Sequence, residues 1–443
     1  MKHTRSLYAQ VLHLAIVMAG ILFVTACSQQ DDLVIPVEPS YADPQVKLDE
    51  FRQKLSSATD GWQGLLTPKK GKMFTLFFTL DNAGQVSMLA DADTVAAKTF
   101  SRSKYRVEIT QRVNASVLFA EGSNLERIPS SVDKEYAYQY SLGDTLFLLG
   151  SQYGDVLKLI KATAGERQAY ESRQLKNSMQ QIAKYLSTLR YLSFQPEPGK
   201  IIQFSLNPLA RSVYNTYLEQ RAKFFGSDYS YSPHGIVLKT SPNIGGYVPT
   251  EILWDAAKGS LYTNYKGQRM ELQSSTLPAI PLHYLLGDEY SPGTVVPSPY
   301  AQRMPGWSPK FQTQWLIDDN ALMKQLNLAL YYMLLDLHVK ENTMDLYIYY
   351  VTPESEFVRG KFPYTFSKTD DGIYTFTPLA IETGTEEGDN AARVKDHLPN
   401  ILGAINQNRF HIEFYDAYAE LGGLIPQYLS VDDTDIYFTG FFY

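Results

Sequence analysis

Met73-Phe-Thr-Leu-Phe-Phe-Thr-Leu80, then Asp81-Asn82-Ala83-Gly84, then Gln85-Val-Ser-Met-Leu89, is the stretch on which the fold is read. A short apolar run bounded by Asp, Asn and Gly, followed by a second apolar run, predicts a hairpin with a Gly-containing connection. Working outward, the sheet period starts at Trp62 and continues downstream. Tyr105 to Thr110 pairs with Ser116 to Ala120, and Tyr136 to Leu142 turns at Gly143-Asp144 into Thr145 to Leu149. Asp155 to Ile160 closes the series. About eight short strands, spaced roughly 8 to 12 residues apart, predict an antiparallel meander curled or closed into a barrel-like sheet.

This β module, residues 47–165, opens on a helix from Val46 to about Ser57, with Leu48, Phe51 and Leu55 three and four apart. Glu166 to about Leu192 reads as a long helix with Tyr170, Leu175, Met179, Ile182, Leu186 and Leu189 in one stripe. It leads a second β module to residue 277, whose strands fall between Lys200 and Tyr265. Both β regions begin with a strand pair and finish near a Gly followed by alternating apolar residues, so duplication is one alternative. Residues 278–309 hold seven prolines with little periodicity, the clearest internal linker, with an ordered Pro-rich loop over a domain junction as the alternative. Residues 310–443 read as α+β. There Asp318 or Asp319 caps an apolar helix to about Val339, followed by a strand at Leu346 to Val351 and a hairpin turning at Asp370-Asp371-Gly372. A helix from Ala391 to Gln407 and a small closing sheet complete the tail. The fold class is β-rich α+β.

Cys27 is the chain's one cysteine. It follows Lys2, Arg5, an apolar run from Leu12 to Val24 and the tetrapeptide Val24-Thr25-Ala26-Cys27, the anatomy of an export signal over residues 1–26. The tetrapeptide resembles a lipobox, in which the cysteine is acylated, and Ser28-Gln29-Gln30-Asp31-Asp32 resembles the acidic tag of surface lipoproteins. The expectation is lipid anchoring at Cys27 in the outer membrane, facing the exterior, on a flexible Pro-containing stalk over 27–46. The mature chain has 443 − 26 = 417 residues and a formal charge of −7 − 2 = −9. With no Lys/Arg block, nucleic acid is not an expected partner. Thiolate chemistry has no residue to use beyond the anchor, and the 32 tyrosines fit half-exposed strand faces or wet recognition surfaces.

Leu48-Asp49-Glu50, Gly61-Trp62-Gln63-Gly64, Phe77-Phe78, and Asp81 with Gly84 and Val86-Ser87-Met88 carry a family resemblance. Ser103-Lys104-Tyr105-Arg106, Leu148-Leu149-Gly150 with Tyr153-Gly154 and Leu157, Gly235-Ile236-Val237-Leu238 and Leu253-Trp254-Asp255 extend it. Together they resemble a Bacteroidota surface-lipoprotein family of unknown function, encoded in SusC/SusD-type nutrient-uptake operons, often beside a zinc-dependent peptidase lipoprotein. The resemblance covers most of 47–265 and is thinner beyond. Asn124 to Asp133 departs from it, lacking the expected aromatic cluster. It implies a cell-surface accessory of a nutrient importer, with a TonB-dependent channel and its SusD-like lipoprotein as partners, and supplies no catalytic residues.

The residues offer little chemistry of their own. His234, His283, His338, His397 and His411 are too far apart in sequence for metal spacing, with His338 reading as a helix-dipole partner and His411 as a strand residue. No nucleophile elbow or phosphate loop occurs. The acidic loops Glu386-Glu387-Gly388-Asp389 and Asp432-Asp433-Thr434-Asp435 are minor cation candidates read chiefly as solvated loops, and neither cofactor nor metal is expected. Trp62 and Trp254 read as core. The binding candidates are loop aromatics, Tyr229 and Tyr231 with Asp228, and Trp307. Each ring either presents a flat face to a sugar or peptide or anchors its own loop. The expected function is peptide or glycan binding, or docking on the importer, without catalysis. The alternatives are a hydrolase of the imported polymer and a purely structural importer subunit.

Overall fold

In the computed structural model, the residues described are 43–109, 114–187, 191–300 and 304–443. The leader, Cys27, most of the stalk and Leu189 lie outside them. Strand Phe74–Leu80 pairs with Gln85–Ala90 across a turn where Asp81 accepts from the amides of Ala83 (2.9 Å) and Gln85 (2.8 Å). Gly84 takes the positive φ of 74° that the turn needs. The expected meander follows: eight antiparallel strands run in sequence order, and Val156–Lys161 returns to pair with Trp62–Thr67, closing a barrel. Phe74, Leu76 and Phe78 fill its interior with Val117, Tyr136 and Leu157. Phe77 points the other way, stacked on Tyr170 at 4.4 Å and buried against the second module. That is why the run is apolar on both faces rather than alternating. Helix Pro44–Ser56, capped by Asp43, packs Phe51 and Leu55 into the core. It therefore starts inside the stretch expected as stalk.

The long helix expected from Glu166 is two helices, Ala164–Glu171 and Gln174–Leu186. Arg173 breaks them at a left-handed φ of 65°. Both present the same apolar side, so the stripe reads straight through the break. Leu192 already belongs to strand Tyr191–Glu197. The second sheet then meanders through nine strands, and its two edge strands are consecutive in the chain. Gln268–Glu271 pairs with Ser260–Tyr265 and Gln273–Ser275 pairs with Tyr191–Glu197, with only Leu272 between them. One bent strand thus joins both edges.

The edge strands of the third sheet are joined in the same way. Tyr437–Thr439 pairs with Gly423–Ser430, and Phe441–Phe442 with Gly293–Pro297, with Gly440 between them. At Gly440 a Cβ would lie 2.4 Å from the Val295 carbonyl oxygen, so the bend needs a residue without one. Gly440→Ala is expected to cost about 1–3 kcal/mol by overpacking, read as a lowered denaturation midpoint. A closed eight-stranded barrel and two nine-stranded meanders, each with a helix packed into its core, make up the described chain. The β-rich class stands.

Three expectations change in the third module. The described part of residues 278–309 is the ordered alternative rather than a free linker: Ile280, Leu282 and Leu285 are buried, and Gly293–Pro297 is a sheet strand. The helix expected from Asp318 or Asp319 to Val339 instead spans Pro309–Leu326, capped by Ser308 and ended by Asn327 at φ 56°. Ala329–His338 is a strand, because a Leu-rich run buried on both faces carries no period that separates helix from strand. Asp318 caps a different helix, accepting from the amides of Asn400 (3.0 Å) and Ile401 (2.7 Å). Pro399 splits the expected Ala391–Gln407 helix into Glu386–Val394, a 3-10 turn at Lys395–His397 and Pro399–Asn406.

Candidate functional site

The stretch Gly226 to Pro233 is mostly strand, not loop: it ends strand Ala222–Ser232 of the second sheet. Alternation sends Tyr229 and Tyr231 inward and Gly226, Asp228 and Ser230 outward. The two rings are 0% and 4% exposed, edge to face at 5.5 Å, and burial pushes both phenols above their usual range. Neither offers a face to a ligand, which corrects the expectation for this pair. Their strand is instead the seam between the first barrel and the second sheet. The Tyr231 amide donates to Asp91 of the first barrel (2.7 Å), and Ser230 shares a hydrogen bond with Thr75 (2.7 Å).

Asp91 is fully buried and also accepts from the Thr75 amide (2.8 Å) and from Arg211 Nη1 (2.9 Å). Arg211 donates again to the Asp91 carbonyl, and its guanidinium lies over Phe74 (4.8 Å) and Tyr231 (5.4 Å). Burial pushes the Asp91 carboxyl up against the pull of Arg211.

Asp228, by contrast, lines a groove of about 630 Å³ on the outer face of the second sheet. The register builds two cross-strand rows there, Ser205–Tyr214–Gly226 and Asn207–Ser212–Asp228. Lys239 and Thr240 complete one side. Asp228 is paired with Lys72 of the first barrel (2.9 Å) and with Lys239 (3.4 Å). Tyr214 is 41% exposed. Opposite its ring, Gly226 has no positive φ, and an added Cβ would meet only the Tyr214 ring at 3.8 Å. The backbone does not demand glycine there; the space over the ring is what it provides. Tyr214 is the site residue the sequence reading did not single out.

The groove can form hydrogen bonds and offer one aromatic surface. Its one carboxylate among the lining residues, Asp228, is held in ion pairs, whereas glycosidic cleavage needs a facing pair. Trp307 is elsewhere. It is half-buried against Phe311 (5.1 Å) and Trp315 (5.4 Å), and its indole N–H donates to the Thr439 carbonyl (2.9 Å). It anchors its loop to the third module and presents no free platform. Trp62 is core, while Trp254 is half-buried and donates to Gln181 at 2.7 Å.

The acidic loops are engaged in other ways. Glu386, Glu387 and Asp389 fill the first turn of a helix, where carboxylates suit the dipole, and Glu387 pairs with Arg359. Asp432 pairs with Arg409 at 2.7 Å and Asp433 with Lys310 at 2.5 Å. Among the described residues no group of three or more His, Cys, Asp or Glu is placed to hold a metal ion. His338 is a strand residue beside Asp345 (3.2 Å), not a helix-end partner.

Two half-buried titratable groups near the second and third modules contribute to the pH response. Burial, with Lys368 and His411 nearby, pushes His283 down to about 4, and burial alone pushes Glu289 up to about 7. Glu289 has a buried oxygen without a hydrogen-bond partner. A carboxyl raised in the folded state binds protons more tightly there, so its contribution is lost as pH rises from about 4.5 to 7. Glu289→Gln is expected to raise stability at pH 8 by about 1 kcal/mol, after discounting for partial solvent access. The gain should vanish near pH 4 in denaturant titrations.

The fold is a closed antiparallel barrel followed by two nine-stranded antiparallel meanders, with a polar groove on the second sheet. Residues 44–256 match the family described as "Domain of unknown function (DUF4302)", so a domain of that kind spans the first barrel, the seam and the groove. The match ends just after strand Glu251–Asp255, leaving the last strands of the second sheet and all of the third beyond it. No curated protein matches the sequence. Among solved structures, a DNA polymerase III beta subunit-like protein of Eubacterium rectale ATCC 33656 aligns at 8% identity over 86% of this chain and 91% of its own. The TM-score is 0.14, too low to bear on fold or function. Among the described residues no helix is long and apolar enough to cross a membrane.

Proposed function

We propose that this chain is a lipid-anchored cell-surface accessory of a nutrient-uptake system, binding peptide or glycan without catalysis of its own. The groove around Tyr214 and Asp228 carries the binding part of this reading: it has the volume of a ligand site and hydrogen-bonding walls, and lacks a second carboxylate. The anchoring part rests on the leader and Cys27, and the uptake context on the resemblance of residues 47–265. Docking on an importer has its own supporting feature. Tyr331 (40% exposed) and Phe357 (63% exposed) meet edge to face at 5.0 Å on the outer face of the third module, an apolar corner suited to a protein partner. Cys27→Ser should release the protein from the membrane fraction, and protease added to intact cells should digest the unaltered chain. Retention of the variant in the membrane, or full protection from protease, would sink the anchoring or the orientation respectively.

A further inference from the structure

We infer that the groove takes a glycan, with one pyranose ring lying on Tyr214 over Gly226. This rests on reading the groove as the binding site, and it decides between the two ligand classes. Peptides caught in extended form add a strand to an open sheet edge. Here the first barrel is closed, and the second and third sheets have both edge strands joined through Leu272 and Gly440. Beneath the groove Ser212–Leu218 is paired on both sides; free backbone lies only along the outer side of Ala222–Ser227, where Gly235–Leu238 does not reach, whereas Tyr214 stands on the face of the inner strand. Nor is there an apolar pocket to receive peptide side chains. Apart from Tyr214 and the buried Val213, the wall residues carry hydroxyl, amide or charged groups, or none at Gly226.

A sugar ring needs the opposite arrangement: one flat apolar surface with donors and acceptors around its rim. Tyr214 supplies the surface, and Gly226 leaves the space beside it unfilled. Ser205 lies in the same cross-strand row. Ser212 and Asp228 lie in the next row, two residues along and about 7 Å away, the scale of one hexose. Lys72 and Lys239 hold the Asp228 carboxylate in place to accept from ring hydroxyls.

The test uses the full mature chain, titrated calorimetrically with malto-, cello-, manno-, xylo- and galacturono-oligosaccharides and with a tryptic casein digest. One oligosaccharide series should bind saturably. Tyr214→Ala, at an exposed position, should weaken binding about tenfold, the loss of one ring contact. Gly226→Val, which fills the space over the ring, should weaken it at least as much. Tyr300→Ala, at an exposed site outside the groove lining, should leave it unchanged. Casein peptides that bind and are lost in Tyr214→Ala would overturn the glycan inference while leaving the groove as the binding site. Oligosaccharide binding that ignores both groove variants would overturn the groove itself, and no binding by any probe would count against both.

Discussion

Arg211→Ala is expected to lower the stability of the mature chain by about 3–5 kcal/mol, the cost of leaving a buried charge without its partner. Asp91 would keep its amide donors from Thr75 and Tyr231 but lose the cation that balances it. The same change removes the guanidinium from between Phe74 and Tyr231, opening a gap in the seam. Burial already raises the Asp91 carboxyl, and Arg211 is the main influence holding it down. Without Arg211 the carboxyl rises further, so the variant's stability should fall as pH increases from about 4 toward neutrality. Urea unfolding at pH 5 and pH 8 would show the deficit growing with pH. Asp91→Asn combined with Arg211→Leu, which removes both charges, should recover a large part of the loss. A deficit that is the same at both pH values and persists in the double variant would mean the pair contributes only packing.

Asp133→Ala is expected to cost about 3–4 kcal/mol by leaving one buried and two part-buried amides unpaired. Asp133 accepts from the amides of Gln152 (2.5 Å), Tyr153 (3.0 Å) and Asp155 (3.2 Å). Asp155 reciprocates, accepting from Lys69 (2.8 Å) and Asp133 (2.8 Å), so two carboxylates tie three loops at one end of the first barrel. Gly150 is packed against this knot, where a Cβ would lie 1.9 Å from Asp133 Oδ2. The loss should appear as a lowered unfolding midpoint together with faster hydrogen exchange at residues 152–155. Asp133→Asn should retain part of the stability, because its amide oxygen still accepts. Unchanged exchange in that loop would show that the amides find other partners.

The first barrel was legible because its strands are short, alternate where solvent faces them, and turn at Asp-Asn-Ala-Gly and Gly-Asp sequences that favour turns. The joining of the edge strands in the second and third sheets was not. Leu272 and Gly440 look like ordinary strand residues, and only the register shows that each joins two edges. The strand at Ala329–His338 was read as helix because leucines buried on both faces carry no period of two, and the stop at Asn327 is a single residue. The site was half visible. The Tyr/Ser run around Asp228 drew attention for its rings, yet those rings face inward and the groove uses the opposite side of the same strand. Tyr214 escaped notice because Val213 to Leu218 reads as one more amphipathic strand. Its partner Gly226 becomes informative only when the two are seen across the ladder.

The reading as an uptake accessory stands or falls on what surrounds the protein in the membrane. Affinity purification of the tagged full-length chain from gently solubilised outer membranes, followed by mass spectrometry, is the direct measurement. Stoichiometric recovery of a TonB-dependent channel, reduced when Tyr331 and Phe357 are both changed to serine, is the expected result. Recovery of the protein alone, from membranes in which such channels are abundant, would contradict it.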